Sequence, residues 1–336
     1  MRTPAPDHAL IAHLVRSAQE VVGSLIDPGA RVALLDFPTY ANVGDNAIWV
    51  GTRRLLERLR VRVVYMADVD NYSPARLAER LRQGTILLQG GGNFGDLWPR
   101  YQRFRESVVA AFPDHRIIQL PQTLRFRRSE TLAQAQAVLN RHRDLTLLAR
   151  DSQSLAFARR EFAARSLLCP DLALVIGRIP WVGRPAVDVV ALRRDDLEAA
   201  SAFPDLPETV SERLDWTDEP LGVAGRVRRA IHGVRGSAAA KLAATVLLHP
   251  YDLLAGQRLA HGCRILRRGR AVLTDRLHGH ILSLLLGIPH VLLDDAYGKL
   301  SSFYEAWTKP SALAAWAGSP EEARMLVLSA ARRHVR

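Results

Sequence analysis

Three stretches of this chain set acidic, basic and imidazole side chains beside glycine or at the start of a helical pattern. The densest is Thr274-Asp275-Arg276-Leu277-His278-Gly279-His280. Arginine presents a planar fork of donors that grips a carboxylate or phosphate through paired bonds, and histidine exchanges a proton near neutrality. The stretch lies between an apolar run over 270–273 and an apolar helical pattern, so Arg276, Gly279 and His280 share one side of the helix start. A lone histidine is more often structural than catalytic. An aspartate, an arginine and two histidines crowded at one strand end favour a site.

The second stretch is Pro38-Thr39-Tyr40-Ala41-Asn42-Val43-Gly44-Asp45-Asn46, directly after an apolar run. Gly44 lets backbone approach a ligand, the following helix offers free N–H groups to an anion, and Asn42, Asp45 and Asn46 add polar groups. Asp45 or Asn46 could equally do no more than cap that helix. The third stretch, Gln89-Gly90-Gly91-Gly92-Asn93-Phe94-Gly95-Asp96, could form an anion-binding nest of backbone N–H groups or a tight strand-to-helix turn. It matches neither G-x-G-x-x-G nor a Walker A sequence, so neither a dinucleotide nor ATP is implied. Fainter signals are Pro121-Gln122-Thr123, Arg150-Asp151-Ser152 and Arg193-Arg194-Asp195-Asp196. Each could be a cap or a surface pair, but together they put polar residues at nearly every expected strand end.

The elements that must carry these residues follow from periodicity. Residues 9–25 read as an amphipathic helix closed by Asp27-Pro28-Gly29. Short apolar runs at 31–37, 62–67, 85–89, 116–120 and 145–149 read as buried strands. Helical spacing separates them at 47–60, 74–82, 98–111, 130–141 and 152–164. A strand–helix unit repeated about five times predicts a parallel sheet covered on both faces, with ligands at the C-terminal strand ends. Residues 177–185 read as a linker. A second α/β unit then has strands at 186–192, 270–273 and 290–293, helices near 227–230, 238–247, 253–259 and 277–286, and a short strand within 205–216. Helices beginning near 303 and 320 close the chain. The expected architecture is α/β, two Rossmann-like domains facing across a cleft, divided as 1–180 and 181–336, with the last helix packing back on the first domain.

Composition narrows the classes of function. The 336 residues carry Lys+Arg 46 against Asp+Glu 34, a net charge of +12 with arginine far outnumbering lysine. Such a surplus suits an acidic partner or an anionic surface, or an arginine-rich solubilising shell. No RRM-like, zinc-finger or helix-turn-helix pattern supports nucleic acid. Two distant cysteines, Cys169 and Cys263, form neither a disulfide framework nor a zinc motif. The amino terminus lacks the apolar core of a secretory signal, and no apolar run reaches the roughly 18 residues of a membrane span. A cytoplasmic protein, or one resting on the inner face of the membrane, is expected. The basic residues Arg226, Arg228, Arg229 and Arg235 before an apolar run could meet anionic lipid, or could be a solvated face.

Asn42-Val43-Gly44-Asp45, Gly90-Gly91-Gly92-Asn93, Pro121-Gln122-Thr123, Arg150-Asp151-Ser152, Pro170-Asp171 and Thr274-Asp275-Arg276-Leu277-His278 occur in this order. That ordered set resembles the polysaccharide pyruvyltransferase family, and Gly298-Lys299 with Phe303-Tyr304 and Trp307 is similar to its bacterial exopolysaccharide branch. The resemblance implies a GT-B-like fold. It implies transfer of the enolpyruvyl unit of phosphoenolpyruvate to a sugar, released as a pyruvate ketal with free phosphate, and no cofactor or metal. Arg276 and His278 match the family's R-L-H motif. The family's further arginine, in an R-x-D-x-E pattern, falls best on Arg194 with Asp196 and Glu198, or on Arg193. The chemistry of phosphoenolpyruvate then suits His278 as acid, Asp45 as base and Arg276 as anion clamp. The strand-end segments and these motifs together give a candidate binding set of Asn42, Gly44, Gly91, Gly92, Asn93, Gln122, Arg150, Arg194, His280 and Lys299. The acceptor would be a saccharide, in one version linked to polyprenyl diphosphate at an anionic membrane. Two other readings stay open: a nucleotide-sugar glycosyltransferase of the same shape, and a non-catalytic subunit of a polysaccharide-assembly complex.

Overall fold

The structure, a computed structural model, describes residues 6–194, 203–208, 211–214, 250–294 and 298–333. Its contacts divide the chain into two compact units. The first holds Leu14–Pro38 and Gly51–Val175; the second holds Met1–His13, Thr39–Val50 and Ile176–Arg336.

In the first unit, strands β1 (Arg31–Leu35), β2 (Arg62–Ala67), β3 (Thr85–Leu88), β4 (Gly91–Gly95), β5 (Arg116–Arg125), β6 (Leu145–Ala149) and β7 (Arg165–Leu168) make one seven-stranded sheet. Its order is β2-β1-β3-β5-β6-β7, with β4 pairing β5, and each pairing is parallel. β3 and β6 are buried along their whole length. That is why they read as unbroken apolar runs rather than alternating ones. Each fully buried leucine there stabilises the sheet by roughly 1.5–3 kcal/mol. Helices α3 (Pro74–Leu81), α4 (Pro99–Ala111), α5 (Ser129–Leu139) and α6 (Ser152–Glu161) alternate with the strands. Pro74 and Pro99 sit in the first turn of α3 and α4, where proline costs no helical hydrogen bond. Leu77, Leu81, Phe104, Val108, Leu139 and Phe162 pack onto the sheet.

Two local outcomes differ from the sequence pattern. The glycine-rich stretch is a short strand, β4, rather than only a turn. At Gly95 (φ 133°) any Cβ would lie 1.6 Å from the Arg125 carbonyl oxygen, so only glycine permits this pairing. β5 runs on through Pro121-Gln122-Thr123, with a register shift between Gln119 and Gln122. Proline has no N–H to give to the ladder, so the strand persists there only by slipping register.

In the second unit, β8 (Val187–Leu192), β9 (Ser211–Leu214), β10 (Gly269–Thr274), β11 (His290–Leu292) and β12 (Ala314–Trp316) form a parallel sheet ordered β12-β11-β10-β8-β9. Around it lie α7 (Pro250–Leu266), α8 (Leu277–Leu286), α9 (Lys299–Phe303) and α10 (Pro320–Arg333). The closing helix, α10, sets Ala323, Val327, Ala330 and Ala331 into the core formed with Val189, Leu273 and Val291 of this same unit. The helices expected near 227–230 and 238–247, and Arg226, Arg228, Arg229 and Arg235, lie outside the described residues. Among the described residues no helix is long and apolar enough to cross a membrane.

Both sheets share one topological feature. In the first, the chain leaves β1 for β2 on one side and returns with β3 on the other. In the second, it leaves β8 for β9 and returns with β10. Each arrangement creates a switch point, β1/β3 and β8/β10, where loops at the carboxyl ends diverge and leave room for a ligand.

Candidate active site

At the β8/β10 switch point the backbone of Arg193 and Arg194 comes against Asp275 and Arg276. β8 pairs with β10 in a register that sets Leu192 beside Thr274. The two following loops are stitched by hydrogen bonds. Thr274 Oγ1 donates to the Leu192 carbonyl (2.8 Å), Arg194 N donates to Asp275 Oδ1 (2.9 Å), and Arg276 Nε donates to the Arg193 carbonyl (3.2 Å). Asp275 is fully buried and Arg276 is 7% exposed, so the site's charges are set by the fold rather than by solvent. Arg276 is the N-cap residue of α8, with extended φ/ψ and no side-chain cap. The aligned peptide dipoles of α8 make its N-terminus electropositive, which favours an anion there.

His278 stands in the first turn of α8, and its partner in packing is Gly44. A Cβ built on Gly44 would lie 2.3 Å from His278 Nδ1 and 2.6 Å from its Cγ. Gly44 opens α2 (Val43–Arg58), whose first residues belong to the same unit. Asn42 Oδ1 accepts from Gly44 N (2.8 Å), which turns the chain into the helix. Asn46 Nδ2 donates back to the Asn42 carbonyl (2.8 Å). Tyr40 Oη donates to Asp45 Oδ2 (2.8 Å). Trp49 Nε1 donates to Asp252 Oδ1 (2.7 Å), and Arg258 Nη2 donates to the Thr39 carbonyl (3.2 Å), anchoring both ends of 39–50 to α7.

His280 goes elsewhere than the sequence placed it. Its ring is fully buried, with Nδ1 2.7 Å from His290 Nε2 and Nε2 2.7 Å from Thr308 Oγ1. His290 Nδ1 faces the Ile288 carbonyl at 2.8 Å, so that nitrogen carries the proton. His290 Nε2 then accepts from His280 Nδ1, and His280 Nε2 accepts from the Thr308 hydroxyl. Burial holds both rings neutral: His290 is pushed down to about 4 and His280 well below the ordinary value. Thr308 ends a single π-helical turn, Tyr304–Thr308, that carries its hydroxyl onto His280. Both His280 nitrogens are thus committed to bonds on the buried face of α8. Lys299, 8% exposed, starts α9 after Gly298.

The first unit holds its own polar cluster at the β1/β3 switch point. Gln122 Nε2 donates to Asn93 Oδ1 (2.9 Å), and Asn93 N donates to Gln122 Oε1 (3.2 Å), a reciprocal lock across the β4–β5 pair. Gly91 pairs with Gln122 in the same ladder, and Gly92 continues the strand. Arg105, on α4 and 1% exposed, donates from Nε to Gln119 Oε1 (2.5 Å), from Nη1 to Gln102 Oε1 (2.8 Å) and from Nη2 to Asn93 Oδ1 (2.9 Å), with its guanidinium 4.5 Å from the Phe94 ring centre. Burial lowers its pKa to about 10, which leaves it charged at neutral pH. Arg150 Nη1 pairs with Asp171 Oδ2 at 2.8 Å, and Nε donates to Thr123 Oγ1 (2.9 Å). Asp151 caps α6 through Ser154 N (2.7 Å).

These networks also take in Tyr40, Arg105 and Gln119, which no motif in the sequence marks. For Arg105 a signal existed: it lies in the apolar stripe of α4 with Phe104, Val108 and Val109, where a charge must have a buried purpose.

The pattern of the polysaccharide pyruvyl transferases matches residues 42–297, which begin at Asn42 and include every segment of the β8/β10 cluster. The chain belongs to the polysaccharide pyruvyl transferase family. Pyruvyl transferase 1 of Schizosaccharomyces pombe is 33% identical over 82% of this chain and 69% of its own. The Bacillus subtilis protein EpsO, provisionally named a pyruvyl transferase, is 30% identical over 88% of this chain and 92% of its own. A solved structure of a functionally uncharacterised Klebsiella pneumoniae protein shares the fold with a TM-score of 0.57 at 15% identity, covering 91% of this chain and 99% of that one. A pyruvyl transferase of this family implies a saccharide acceptor. The α/β fold with parallel sheets agrees with the sequence expectation.

Proposed function

We propose that this pyruvyl transferase takes phosphoenolpyruvate as donor and builds a pyruvate ketal on a saccharide of an exopolysaccharide or its lipid-linked precursor. The observation that carries this reading is the junction at the β8/β10 switch point, where the Arg194 backbone N–H meets Asp275 and the Arg276 side chain meets the Arg193 carbonyl at the N-terminus of α8. Phosphoenolpyruvate has two anionic groups, a carboxylate and a phosphate. Two arginines and a helix N-terminus supply charge and donors for both, with Lys299 of the same unit as a further cation.

His278 delivers a proton to the methylene carbon, which makes C2 electron-poor. A sugar hydroxyl attacks C2, forming one C–O bond. The C2–phosphate bond then breaks and a second hydroxyl of the same sugar closes the ketal. Of the two hydroxyl protons, one balances the proton given to the methylene carbon and the other leaves with phosphate. Asp45 is the base for the first hydroxyl: Tyr40 holds Oδ2, and Oδ1 remains to accept. Gly44 packs against His278, and Asn42 fixes the turn that carries Gly44 and Asp45.

Calorimetric titration with phosphoenolpyruvate, with nucleotide sugars alongside, tests the reading. Saturable binding of phosphoenolpyruvate that is lost in Arg276→Ala is the expected result. Binding of a nucleotide sugar in its place would make this a glycosyltransferase site.

A further inference from the structure

Gln89 stands at the β1/β3 switch point, immediately after β3 and immediately before the glycine run. It is 2% exposed, and both side-chain polar atoms, Oε1 and Nε2, are buried with no hydrogen-bond partner. Buried amides are almost always satisfied, so a carboxamide with both ends open calls for a specific partner.

Its backbone is the opposite. Gln89 N donates to the Leu35 carbonyl (3.1 Å), and its own carbonyl accepts from Gln119 Nε2 (2.8 Å) and from Gln122 Nε2 (3.1 Å). Gln119 and Gln122 are fixed in turn. Arg105 grips Gln119 directly, and it grips Asn93, which is locked to Gln122. Two relays from one buried cation thus converge on a single backbone carbonyl. A rigid backbone beneath an uncommitted side chain is the arrangement of a preorganised binding group held by a supporting layer.

The chemistry of the amide selects the ligand class. A carboxamide is neutral and offers one acceptor and one donor head, which match two hydroxyl groups, one donating and one accepting. Arg105 does not redirect the site toward an anion, because its guanidinium serves three amide oxygens and lies over the Phe94 face.

We infer that Gln89 binds hydroxyl groups of the saccharide acceptor, with Arg105, Gln119, Gln122 and Asn93 as the positioning network behind it. This rests on the acceptor being a saccharide, as proposed above.

Gln89→Met tests it, because methionine keeps the length of the side chain and removes both polar atoms. The probes are p-nitrophenyl glucosides, galactosides and mannosides, read by thermal shift without donor and by KM with phosphoenolpyruvate as donor. The expected result has three parts: a melting temperature equal to or above that of the wild type, an unchanged response to phosphoenolpyruvate, and glycoside affinity weakened about tenfold or more, the loss typical of a site left with an unmatched hydroxyl. Gln89→Asn keeps the amide chemistry one methylene short and retains part of the affinity. A lowered melting temperature with unchanged glycoside affinity would make the amide a partner of buried water and overturn the inference. Failure of every glycoside to stabilise the wild type would overturn the saccharide class. Failure of phosphoenolpyruvate alone would remove the donor assignment and leave the glycoside arm to decide Gln89.

Discussion

Gly44 and His278 lie at opposite ends of the sequence, yet the Gly44 Cα faces the imidazole so closely that a single added methyl would meet Nδ1 at 2.3 Å. Two of the family's motif segments are thereby one piece of structure. Gly44→Ala should push the ring out of place while leaving the fold intact. Displacements of about 1 Å at a reacting group cost on the order of a hundredfold in rate. The expected outcome is a kcat reduced by about that factor with a melting temperature near wild type. A fully active Gly44→Ala would show that the position of this ring does not matter to turnover.

Arg276 and His278 should separate binding from chemistry. His278→Ala removes the proposed proton donor and should reduce kcat by about 10²–10⁴, with phosphoenolpyruvate still bound. Arg276→Lys replaces a planar fork by a point charge and should weaken donor binding instead, by roughly tenfold, since hydrogen bonds to charged groups contribute about 1.5–3 kcal/mol. Calorimetry for affinity and single-turnover phosphate release for chemistry distinguish the two. Equal losses of affinity in both variants would argue against the division of roles.

Much of this arrangement can be read from the sequence, and the remainder has identifiable causes. Most strands of both sheets are legible because they are apolar runs flanked by helical spacing, whereas β7 and β12, only four and three residues long, are too short to stand out, and Arg194 and Arg276 lie just past the ends of β8 and β10. The strand β4 is not legible, because glycine has no strand preference and Gly91–Gly95 holds its place through pairing with Gln122 and Arg125. The association of Gly44 with His278, or of His280 with His290 and Thr308, depends on long-range packing that local periodicity does not carry. Gln89 was hidden for a different reason: its side chain is set apart by what it lacks, which only three-dimensional surroundings can reveal.

Arg150 was selected by sequence as a ligand group, and its geometry favours a structural role. The pair with Asp171 has side chains 5% and 0% exposed, and Asp171 Oδ1 also accepts from Ala173 N (2.9 Å). Removing one partner leaves a charge stranded in the interior, at a cost of about 3–5 kcal/mol, whereas replacing both by apolar residues is often nearly neutral. Asp171→Ala should therefore lower stability by that amount in chemical denaturation, and Arg150→Met with Asp171→Leu should recover most of it. Donor affinity of the folded protein should not change in the double variant. A specific loss of substrate affinity without the loss of stability would return Arg150 to the binding set.

The His280–His290 pair makes stability depend on pH in a predictable direction. Both rings are held neutral by burial, with folded-state pKa values below the ordinary 6.5 and that of His290 at about 4. In the unfolded chain each takes up a proton near 6.5, so the unfolded state binds more protons at every pH between that value and the folded one. Their contribution is fully present above pH 6.5 and is lost as pH falls from 6.5 toward 4. Within that window each histidine adds a slope of up to about 1.4 kcal/mol per pH unit. Urea denaturation at pH 7.0, 6.0 and 5.0 measures it: the wild type should weaken steeply, and a variant carrying His280→Gln and His290→Gln should follow a shallower line. Parallel slopes in the two proteins would mean that the acid sensitivity lies in other groups and that the buried pair carries its protons through unfolding unchanged.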